Sequence, residues 1–463
     1  MNITALRPKK IAVIGSGISG LSCAWLLNKA HQVTLYEKDD RLGGHSHTVS
    51  FNIDNQQIDV DTGFIVYNPV NYPNLVRFFE HLGVTSCATD MSFAASIQQG
   101  EHLTPLEYSG CGLKGLFAQK RNLISPTFWS MIKDLLRFYR DTDAMLNDHN
   151  LADLTLGELL KLKGYKTAFI NNHLLPMGAA IWSTPAQEML NYPAQSFLRF
   201  CKNHGLVQLS DRPQWRTLPG GSIRYVNKVA DALDGKVRLN SRIHRICRKQ
   251  DGVFIEDLHG RGEHYDEVVL ACHADQALAL LADPTESEQQ LLSCFPYQRN
   301  RAILHLDQSL LPENKAAWSS WNYMAEAQNN TGQRVSVSYL MNRLQPLNTD
   351  EPVIVSLNPL TEPDQDKLIR TFNYDHPVFN KDSLNNQKRL WQLQGKQNTW
   401  FCGAYFGYGF HEDGLQSGLA VAEQLGGIAR PWQLDTASSR IYVSAIDRSV
   451  TDKHLADKEQ AHG

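Results

Sequence analysis

A glycine-rich turn between two short apolar runs constrains the fold of this chain more than any other feature. Residues 11–14 form the first apolar run, and Gly15, Gly17 and Gly20 follow at once in the spacing GxGxxG. Apolar residues then recur at helical spacing, and a second β-branched run ends at Glu37. A strand, a glycine turn, a helix and a second strand in this register predict a parallel βαβ unit.

Each part of this unit has a role in binding a dinucleotide. Gly15 permits the tight turn, Gly17 lets the backbone approach a pyrophosphate, and Gly20 lets the helix pack close to the strand. The helix N-terminus directs unpaired N–H groups at the phosphates. Glu37 accepts the ribose hydroxyls, which disfavours a 2′-phosphate. We therefore predict a dinucleotide site formed by Gly15, Ser16, Gly17, Ser19, Gly20 and Glu37.

A second stretch, residues 110–115, also fits the GxGxxG pattern. The preceding residues, 104–109, contain a proline and polar side chains where a buried strand would be required, and no second strand ending in an acid follows. We interpret this stretch as a loop, so the chain carries one dinucleotide fingerprint.

Composition excludes several classes of protein. The 463 residues suffice for two or three domains, and 45 basic against 48 acidic residues argue against a nucleic-acid binder. No apolar run approaches the roughly 18 residues of a membrane-spanning helix, the N-terminus lacks the apolar core of a signal peptide, and no amphipathic helix with a Lys/Arg face is identified as an anchor. The eight scattered cysteines favour reduced thiols. We expect a cytoplasmic protein, or one peripheral to the inner membrane.

The residues after Glu37 extend the motif with an arginine and a glycine pair, in the order Arg-x-Gly-Gly. This extension resembles the fingerprint of the FAD-binding superfamily that includes flavin amine oxidases, protoporphyrinogen oxidase and phytoene desaturase. The resemblance implies that FAD is the cofactor and that the added segment runs along its pyrophosphate and ribityl chain. The contacts implied here are Lys38, Arg41, Gly43, Gly44 and His45, of which His45 stands where an arginine is usual.

His45 and His47 form an HxH pattern that places both rings on one face of a strand. Two imidazoles are workable metal ligands, but no carboxylate or cysteine cluster is identifiable as the remaining ligand set. We predict no metal site.

Three further segments resemble the same superfamily. Residues 60–65 are similar to a segment beside the isoalloxazine, and residues 400–418 are similar to a C-terminal strand, loop and helix that close over the flavin. The main chain near Ile243 corresponds to one that faces the adenine. The resemblance thereby adds these FAD contacts: Thr62, Gly63, Phe64, Ile65, Ile243, Gly403, Glu412 and Asp413.

The resemblance implies an α/β fold: a Rossmann-type, glutathione-reductase-like FAD-binding domain with an inserted α+β substrate domain, as in amine oxidases. We place the discontinuous FAD domain at residues 1–75, 215–290 and 395–430, and the substrate domain at 76–214 and 291–394. Residues 431–463 are interpreted as a tail that is mobile or docks late. Helical spacing at 128–139, 154–162 and 194–201, and strand-like runs at 302–306, 335–339 and 353–355, give the substrate domain its mixed character.

Four longer motifs, at residues 44–48, 61–68, 174–182 and 407–414, resemble one bacterial subgroup. Its members are the NAD/FAD-binding proteins associated with cyclopropane-fatty-acid synthases. This resemblance implies oxidation of a hydrophobic, fatty-acyl substrate by hydride transfer to flavin N5. It also implies contact with a membrane surface and a cyclopropane-synthase-like methyltransferase as a partner. The substrate itself, the electron acceptor, the FAD linkage and the oligomeric state stay open.

The resemblance brings five catalytic candidates to the flavin. The C-terminal loop delivers Tyr405, Tyr408 and His411, whereas Tyr67 and Trp182 come from the facing segments. His411 is the acid–base candidate because an unperturbed imidazole titrates near neutrality, although a packing or hydrogen-bonding role has equal standing.

Two alternatives come from other reaction classes. Amine oxidases of the superfamily commonly place a lysine near flavin N5, and residues 297–304 offer arginine or asparagine there. Amine oxidation is thereby disfavoured without being excluded. The second alternative is a non-redox flavin isomerase, or an accessory subunit that holds a lipid for the methyltransferase.

Overall fold

The computed structural model describes residues 7–100, 103–151, 153–182, 187–326 and 334–444. Its strands are β1 (Lys10–Ile14), β2 (Gln32–Tyr36), β3 (Thr48–Ile53), β4 (Gln56–Asp61), β5 (Cys87–Ala88), β6 (Phe93–Ile97), β7 (Leu106–Ser109), β8 (Arg216–Thr217), β9 (Val237–Arg238), β10 (Ile243–Lys249), β11 (Gly252–Asp257), β12 (Gly262–Tyr265), β13 (Glu267–Leu270), β14 (Tyr297–His305), β15 (Trp321–Ala325), β16 (Val335–Leu340), β17 (Ile354–Leu357), β18 (Leu368–Pro377) and β19 (Thr399–Phe401).

The α-helices are α1 (Ile18–Leu27), α2 (Pro73–Leu82), α3 (Gly112–Leu116), α4 (Pro126–Asn147), α5 (Leu156–Leu162), α6 (Thr167–Phe169), α7 (Leu175–Trp182), α8 (Ala194–Asn203), α9 (Ile223–Ala232), α10 (Ala274–Leu280), α11 (Glu286–Leu292), α12 (Met341–Leu344), α13 (Lys381–Gln387) and α14 (His411–Gly426). Among the described residues, no helix is both long enough and apolar enough to cross a lipid bilayer.

The first of two structural units comprises the residues up to Gly44, Val229–Cys294 and the residues from Leu384 onward. Its main sheet is parallel, in the order β19-β13-β1-β2-β9. The β1 residues from Ile11 to Val13 are fully buried, as an apolar run in a parallel sheet requires. A β-carbon on Gly418 of α14 would lie 2.2 Å from the carbonyl oxygen of Ser19, so glycine permits α14 to pack closely against α1.

The second unit comprises His45–Lys228 and Phe295–Ser383. Its seven-stranded sheet has the order β18-β14-β17-β16-β15-β6-β7 and is antiparallel except between β15 and β6. The helices predicted by periodicity appear as α4, α5 and α8, and the predicted strands as β14, β16 and β17. The predicted α/β class, with a parallel sheet in the first unit, is confirmed.

Four chain segments group differently from the predicted domains. Residues 45–75 and 215–228, predicted as FAD domain, belong to the second unit, whereas residues 291–294 and 384–394, predicted as substrate domain, belong to the first. Asp61 connects residues 45–75 and 215–228 to each other and to the rest of the second unit, because its carboxylate accepts hydrogen bonds from the backbone N–H of Ser222 at 2.9 Å and from Gln345 Nε2 at 3.0 Å. Which unit binds which ligand stays a prediction.

The expectation that no buried strand precedes the second GxGxxG stretch is wrong, and the interpretation of residues 110–115 as a loop is wrong in part. Residues Leu106–Ser109 form the buried strand β7, and α3 begins at Gly112. The polar Glu107 is tolerated there because Ser96 Oγ and the backbone N–H of Glu313 donate to its carboxylate. No nucleotide site is implied, since β7 lies at the edge of the predominantly antiparallel sheet of the second unit.

Candidate functional site

The glycine turn of the first unit has the geometry that its spacing predicts. Gly15 adopts φ +102°, and a β-carbon there would lie 2.8 Å from the carbonyl oxygen of Ala271. A β-carbon on Gly20 would lie 1.9 Å from the carbonyl oxygen of Gly15. Gly17 differs from both, because a β-carbon there would meet no atom within 4 Å. Gly15 and Gly20 therefore serve the turn and the packing of α1, while Gly17 leaves open space at the N-terminus of the helix.

Glu37, at the end of β2, is hydrogen-bonded to this turn. Its Oε2 accepts from the backbone N–H of Ser16 at 2.9 Å and from Ser16 Oγ at 2.5 Å, and its Oε1 accepts from Asp39 N–H at 3.0 Å. The side chain is buried. The acid predicted to bind ribose thus lies at the glycine turn, where a dinucleotide site needs it.

The glycine pair of the Arg-x-Gly-Gly segment packs on the same turn. Gly43 N–H donates to the Ser16 carbonyl at 3.1 Å, and a β-carbon on Gly44 would lie 3.0 Å from Gly17 Cα. Arg41 Nη1 donates to the Gly44 carbonyl at 2.9 Å. Arg41 thereby fixes the conformation of the segment, and the backbone of the pair lines the opening beside Gly17.

The other predicted contacts near the adenosine end lie around Glu37. The backbone N–H of Ser241 donates to the Glu37 carbonyl at 2.8 Å, and Ile243 N–H donates to the Ser241 carbonyl at 3.0 Å. Lys38 is exposed, and Ser19 is buried in the first turn of α1. The first unit therefore gathers the predicted pyrophosphate and adenosine contacts in one place.

The C-terminal strand and helix form a second part of this unit. Gly403 follows β19, and its N–H donates to Ser417 Oγ at 3.0 Å, which ties the strand end to α14. At the start of α14, Asp413 Oδ2 accepts from Phe410 N–H at 2.8 Å, and Gln416 Nε2 donates to Glu412 Oε1 at 2.9 Å. Both carboxylates are fully buried. Burial raises the pKa of Asp413, and the guanidinium of Arg440 opposes that rise.

The predicted contacts from His45 to Ile65 belong to the second unit, where β3 and β4 pair. Thr62 N–H donates to the His47 carbonyl at 2.9 Å, and Phe64 N–H donates to the His45 carbonyl at 2.7 Å. A β-carbon on Gly63 would lie 2.2 Å from the His45 carbonyl oxygen, so this crossing requires glycine. The Ile65 carbonyl accepts from Thr217 Oγ1 at 2.8 Å.

A polar cluster that we did not predict lies against these residues. We call it the β18 cluster, and it joins strands β18 and β14 to the HxH segment. The Tyr374 hydroxyl lies 2.7 Å from His47 Nδ1 and 2.6 Å from Thr62 Oγ1, in hydrogen bonds to both. Its members are His45, His47, Thr62, Asn300, Tyr374 and His376.

The second half of the β18 cluster surrounds the His45 ring. The ring centroid lies 5.2 Å from that of Tyr374 and 5.3 Å from that of His376. Asn300 Nδ2 lies 2.9 Å from His376 Nδ1. The alternation Phe372-x-Tyr374-x-His376 was the available sequence signal, since alternate residues of a strand share a face. Among the described residues, no three His, Cys, Asp or Glu side chains converge as metal ligands.

The catalytic candidates of the first unit have different surroundings. Burial lowers the pKa of His411 to about 3, so its imidazole is neutral at pH 7 and can donate a hydrogen bond from one ring nitrogen and accept one at the other. This differs from the near-neutral pKa that we expected. Tyr405 is buried with its ring 4.9 Å from that of Phe406, and the Arg440 guanidinium lies 5.4 Å from the Tyr408 ring.

The other two candidates belong to the second unit. Tyr67 is buried, and its ring packs edge-on against Phe79 at 5.5 Å and Tyr72 at 6.3 Å. Trp182 ends α7, and its side chain lies outside the described residues. Tyr67 is thus held by packing, whereas the role of Trp182 stays a prediction.

Comparison with known proteins supports the same fold and cofactor. The model of the family described as flavin containing amine oxidoreductase matches residues 18–426. AofH of Mycobacterium tuberculosis, named as a candidate flavin-containing monoamine oxidase, is 23% identical over 308 residues, which cover 62% of this chain and 63% of AofH. The alignment thus spans less than two thirds of that relative. An L-amino-acid oxidase of Bothrops jararacussu is 46% identical over 46 residues, or 10% of this chain and 9% of its own.

Two solved structures illustrate the likeness of fold. A putrescine oxidase variant has a TM-score of 0.65 at 14% identity, covering 90% of this chain and 98% of its own. A fatty acid isomerase from P. acnes that produces CLA has a TM-score of 0.61 at 18% identity, covering 89% and 97%. At these identities the likeness shows the fold alone, which confirms the expected amine-oxidase-like architecture.

Proposed function

Because the chain belongs to the flavin containing amine oxidoreductase family, we propose that it is an FAD-dependent oxidoreductase acting on a hydrophobic, fatty-acyl substrate. Members of this family contain a flavin, so the cofactor of this chain is a flavin. This agrees with the predicted FAD. The fit is supported by the open space at Gly17 and by the position of Glu37 against the glycine turn. When bound, the flavin supplies at N5 the acceptor for a hydride from a substrate carbon.

The residues of the first unit would hold the cofactor and set its electrostatic surroundings. The N-terminus of α1 and the backbone around Gly17 would bind the pyrophosphate, and Glu37 would accept the ribose hydroxyls. The N-terminus of α14 would direct its partial positive charge at the flavin ring. His411, which is neutral, would orient a group by hydrogen bonding instead of acting as an acid.

The observation that carries the choice of substrate is Asn300. It is fully buried on β14, a strand that contains no lysine, and Asn358 Nδ2 donates to its Oδ1 at 2.8 Å. Amine oxidases of the superfamily commonly carry a lysine near flavin N5, on the strand that we compare with β14. We take Asn300 as the residue at the corresponding position. A neutral amide there supports a substrate that offers no amine, such as an acyl chain. The fatty acid isomerase of similar fold supports the view that the architecture accommodates such a chain.

Specific observations favour two competing functions. The description of the family and the name of AofH favour amine oxidation. The P. acnes enzyme favours a flavin isomerase, or a lipid-holding subunit of a methyltransferase, in which the oxidation level of the lipid does not change.

One experiment separates the three. The holoenzyme is mixed anaerobically with a total bacterial lipid extract or with putrescine, and the visible absorption band of the flavin is followed. We expect the lipid to bleach the band and a recovered acyl chain to be lighter by two hydrogens. Bleaching by putrescine alone would overturn the proposal in favour of amine oxidation. An altered lipid of unchanged mass would establish isomerisation.

A further inference from the structure

The second unit carries an unusual concentration of exposed apolar side chains. Thirteen large hydrophobic side chains of the described residues are exposed, and five of them lie between residues 103 and 129. Ile124 is 85% exposed and Leu113 is 75% exposed. Single exposed apolar residues are ordinary, whereas exposed apolar residues that gather in one region of the surface are typical of an interaction site. The five residues are Leu103, Leu113, Leu123, Ile124 and Trp129.

Local contacts connect the segments that carry these side chains. Trp129 Nε1 donates to the Leu123 carbonyl at 2.9 Å, and the ring of Trp129 lies 5.9 Å from that of Phe117. Arg121 Nη2 donates to the carbonyl of Thr104 at 2.8 Å, which brings the turn before α4 to the segment that begins at Leu103. The segments that carry the five side chains therefore lie against one another within the unit.

The exposed charged side chains between residues 103 and 133 are all basic. Lys114, Lys120, Arg121 and Lys133 are all exposed. The one acidic residue between positions 103 and 133 is Glu107, which is buried. A chain with a net charge of −3 thus presents a locally cationic, apolar surface here. We call it the 103–133 surface.

We propose that the 103–133 surface docks on an anionic lipid bilayer. The proposal deepens the proposed function, on which it rests for the acyl substrate. Leucine, isoleucine and tryptophan side chains flanked by lysine and arginine match a bilayer interface, where the apolar groups enter the acyl boundary and the cations lie among anionic headgroups. A second copy of the chain fits less well, because two such surfaces would place like charges opposite each other.

Vesicle sedimentation tests this directly. The full-length holoprotein is mixed with vesicles of phosphatidylcholine alone or of an equal mixture with phosphatidylglycerol. We expect binding to the anionic vesicles, weakened by added salt, and little binding to the neutral ones. The variant Leu123→Ser/Ile124→Ser should bind at least about tenfold more weakly, and each of Lys114→Glu and Lys120→Glu should weaken binding roughly fivefold.

The matched control is Leu209→Ser/Leu258→Ser, which removes two exposed leucines outside the surface and should bind like the parent. Equal vesicle binding by parent and Leu123→Ser/Ile124→Ser, or no binding by the parent, would overturn the proposal. So would a dimer that these substitutions dissociate without any change in vesicle binding. Sedimentation does not depend on redox chemistry, so vesicle binding without lipid-dependent flavin bleaching would retain this surface and reject the acyl substrate.

Discussion

Arg440 Nε lies 2.7 Å from Asp413 Oδ1, and Arg440 Nη2 lies 3.0 Å from Asp413 Oδ2. The carboxylate is fully buried at the start of α14. The segment after α14 is therefore anchored to the first unit. Trp432 of this segment also stacks on Trp25, with ring centroids 6.2 Å apart. Residues 431–444 pack on the first unit, whereas residues 445–463 of the predicted tail lie outside the described residues.

Replacing Arg440 should destabilise the protein in a pH-dependent way. Arg440→Gln leaves a buried carboxylate without its cation, which costs about 3 kcal/mol of unfolding free energy. The pKa of Asp413, already raised by burial, rises further, so the deficit is largest at alkaline pH and shrinks as acidification protonates the carboxyl. Urea unfolding at an alkaline and at an acidic pH measures this. The exposed Arg389→Gln is the control, and an equal deficit at both pH values would contradict the ion-pair account.

The glycine turn offers a matched pair of alanine substitutions. Gly17→Ala should leave the thermal midpoint of the apoprotein nearly unchanged but weaken flavin retention at least about tenfold, because the new methyl group occupies the space intended for the pyrophosphate. Gly20→Ala should destabilise the apoprotein by a few kcal/mol, since its β-carbon would lie 1.9 Å from the Gly15 carbonyl oxygen. Thermal scans and flavin content measure both effects. Full flavin content in Gly17→Ala would contradict the placement of the cofactor.

Two buried tyrosines of the second unit test the β18 cluster. Tyr374→Phe removes the hydrogen bonds to His47 and Thr62 and should lower the unfolding free energy by about 1–3 kcal/mol. Tyr323 is buried in the same sheet, and its hydroxyl has no hydrogen-bond partner among the described residues. Tyr323→Phe should therefore be neutral or slightly stabilising. Urea denaturation compares the two, and equal effects would show that the Tyr374 hydroxyl contributes nothing.

His173 should make the fold sensitive to acid. Burial lowers its pKa to about 4, whereas an unfolded histidine titrates near 6.5, so the unfolded state binds the proton first as the pH falls. Stability from this group is complete above about pH 6.5 and is lost on acidification toward pH 4, by about 2 kcal/mol at pH 5. His173→Gln should flatten the dependence of unfolding free energy on pH by this amount. The exposed His264→Gln should leave it unchanged, and parallel curves for His173→Gln and the parent would contradict the assignment.

Much of the first unit could be predicted from the sequence. The strand, glycine turn, helix, second strand and Glu37 lie within about thirty consecutive residues, so their spacing alone determines that they meet. The Arg-x-Gly-Gly segment follows directly and packs on the same turn. The geometry of such a motif depends only on residues that are close in the sequence, so it can be predicted from the sequence.

Only the tertiary structure determined which residues that are distant in the sequence form hydrogen bonds or bury one another. His47 and Tyr374 are 327 positions apart, and they meet because the fold places β18 against the HxH segment, a contact that no local pattern specifies. The buried strand β7 was missed because the groups that satisfy Glu107, from Ser96 to Glu313, lie elsewhere in the chain. The shifted pKa of His411 likewise arises from burial. Sequence determined the short-range backbone motif, whereas the fold determined burial, polar partners and exposed surface, since these depend on which remote segments pack together.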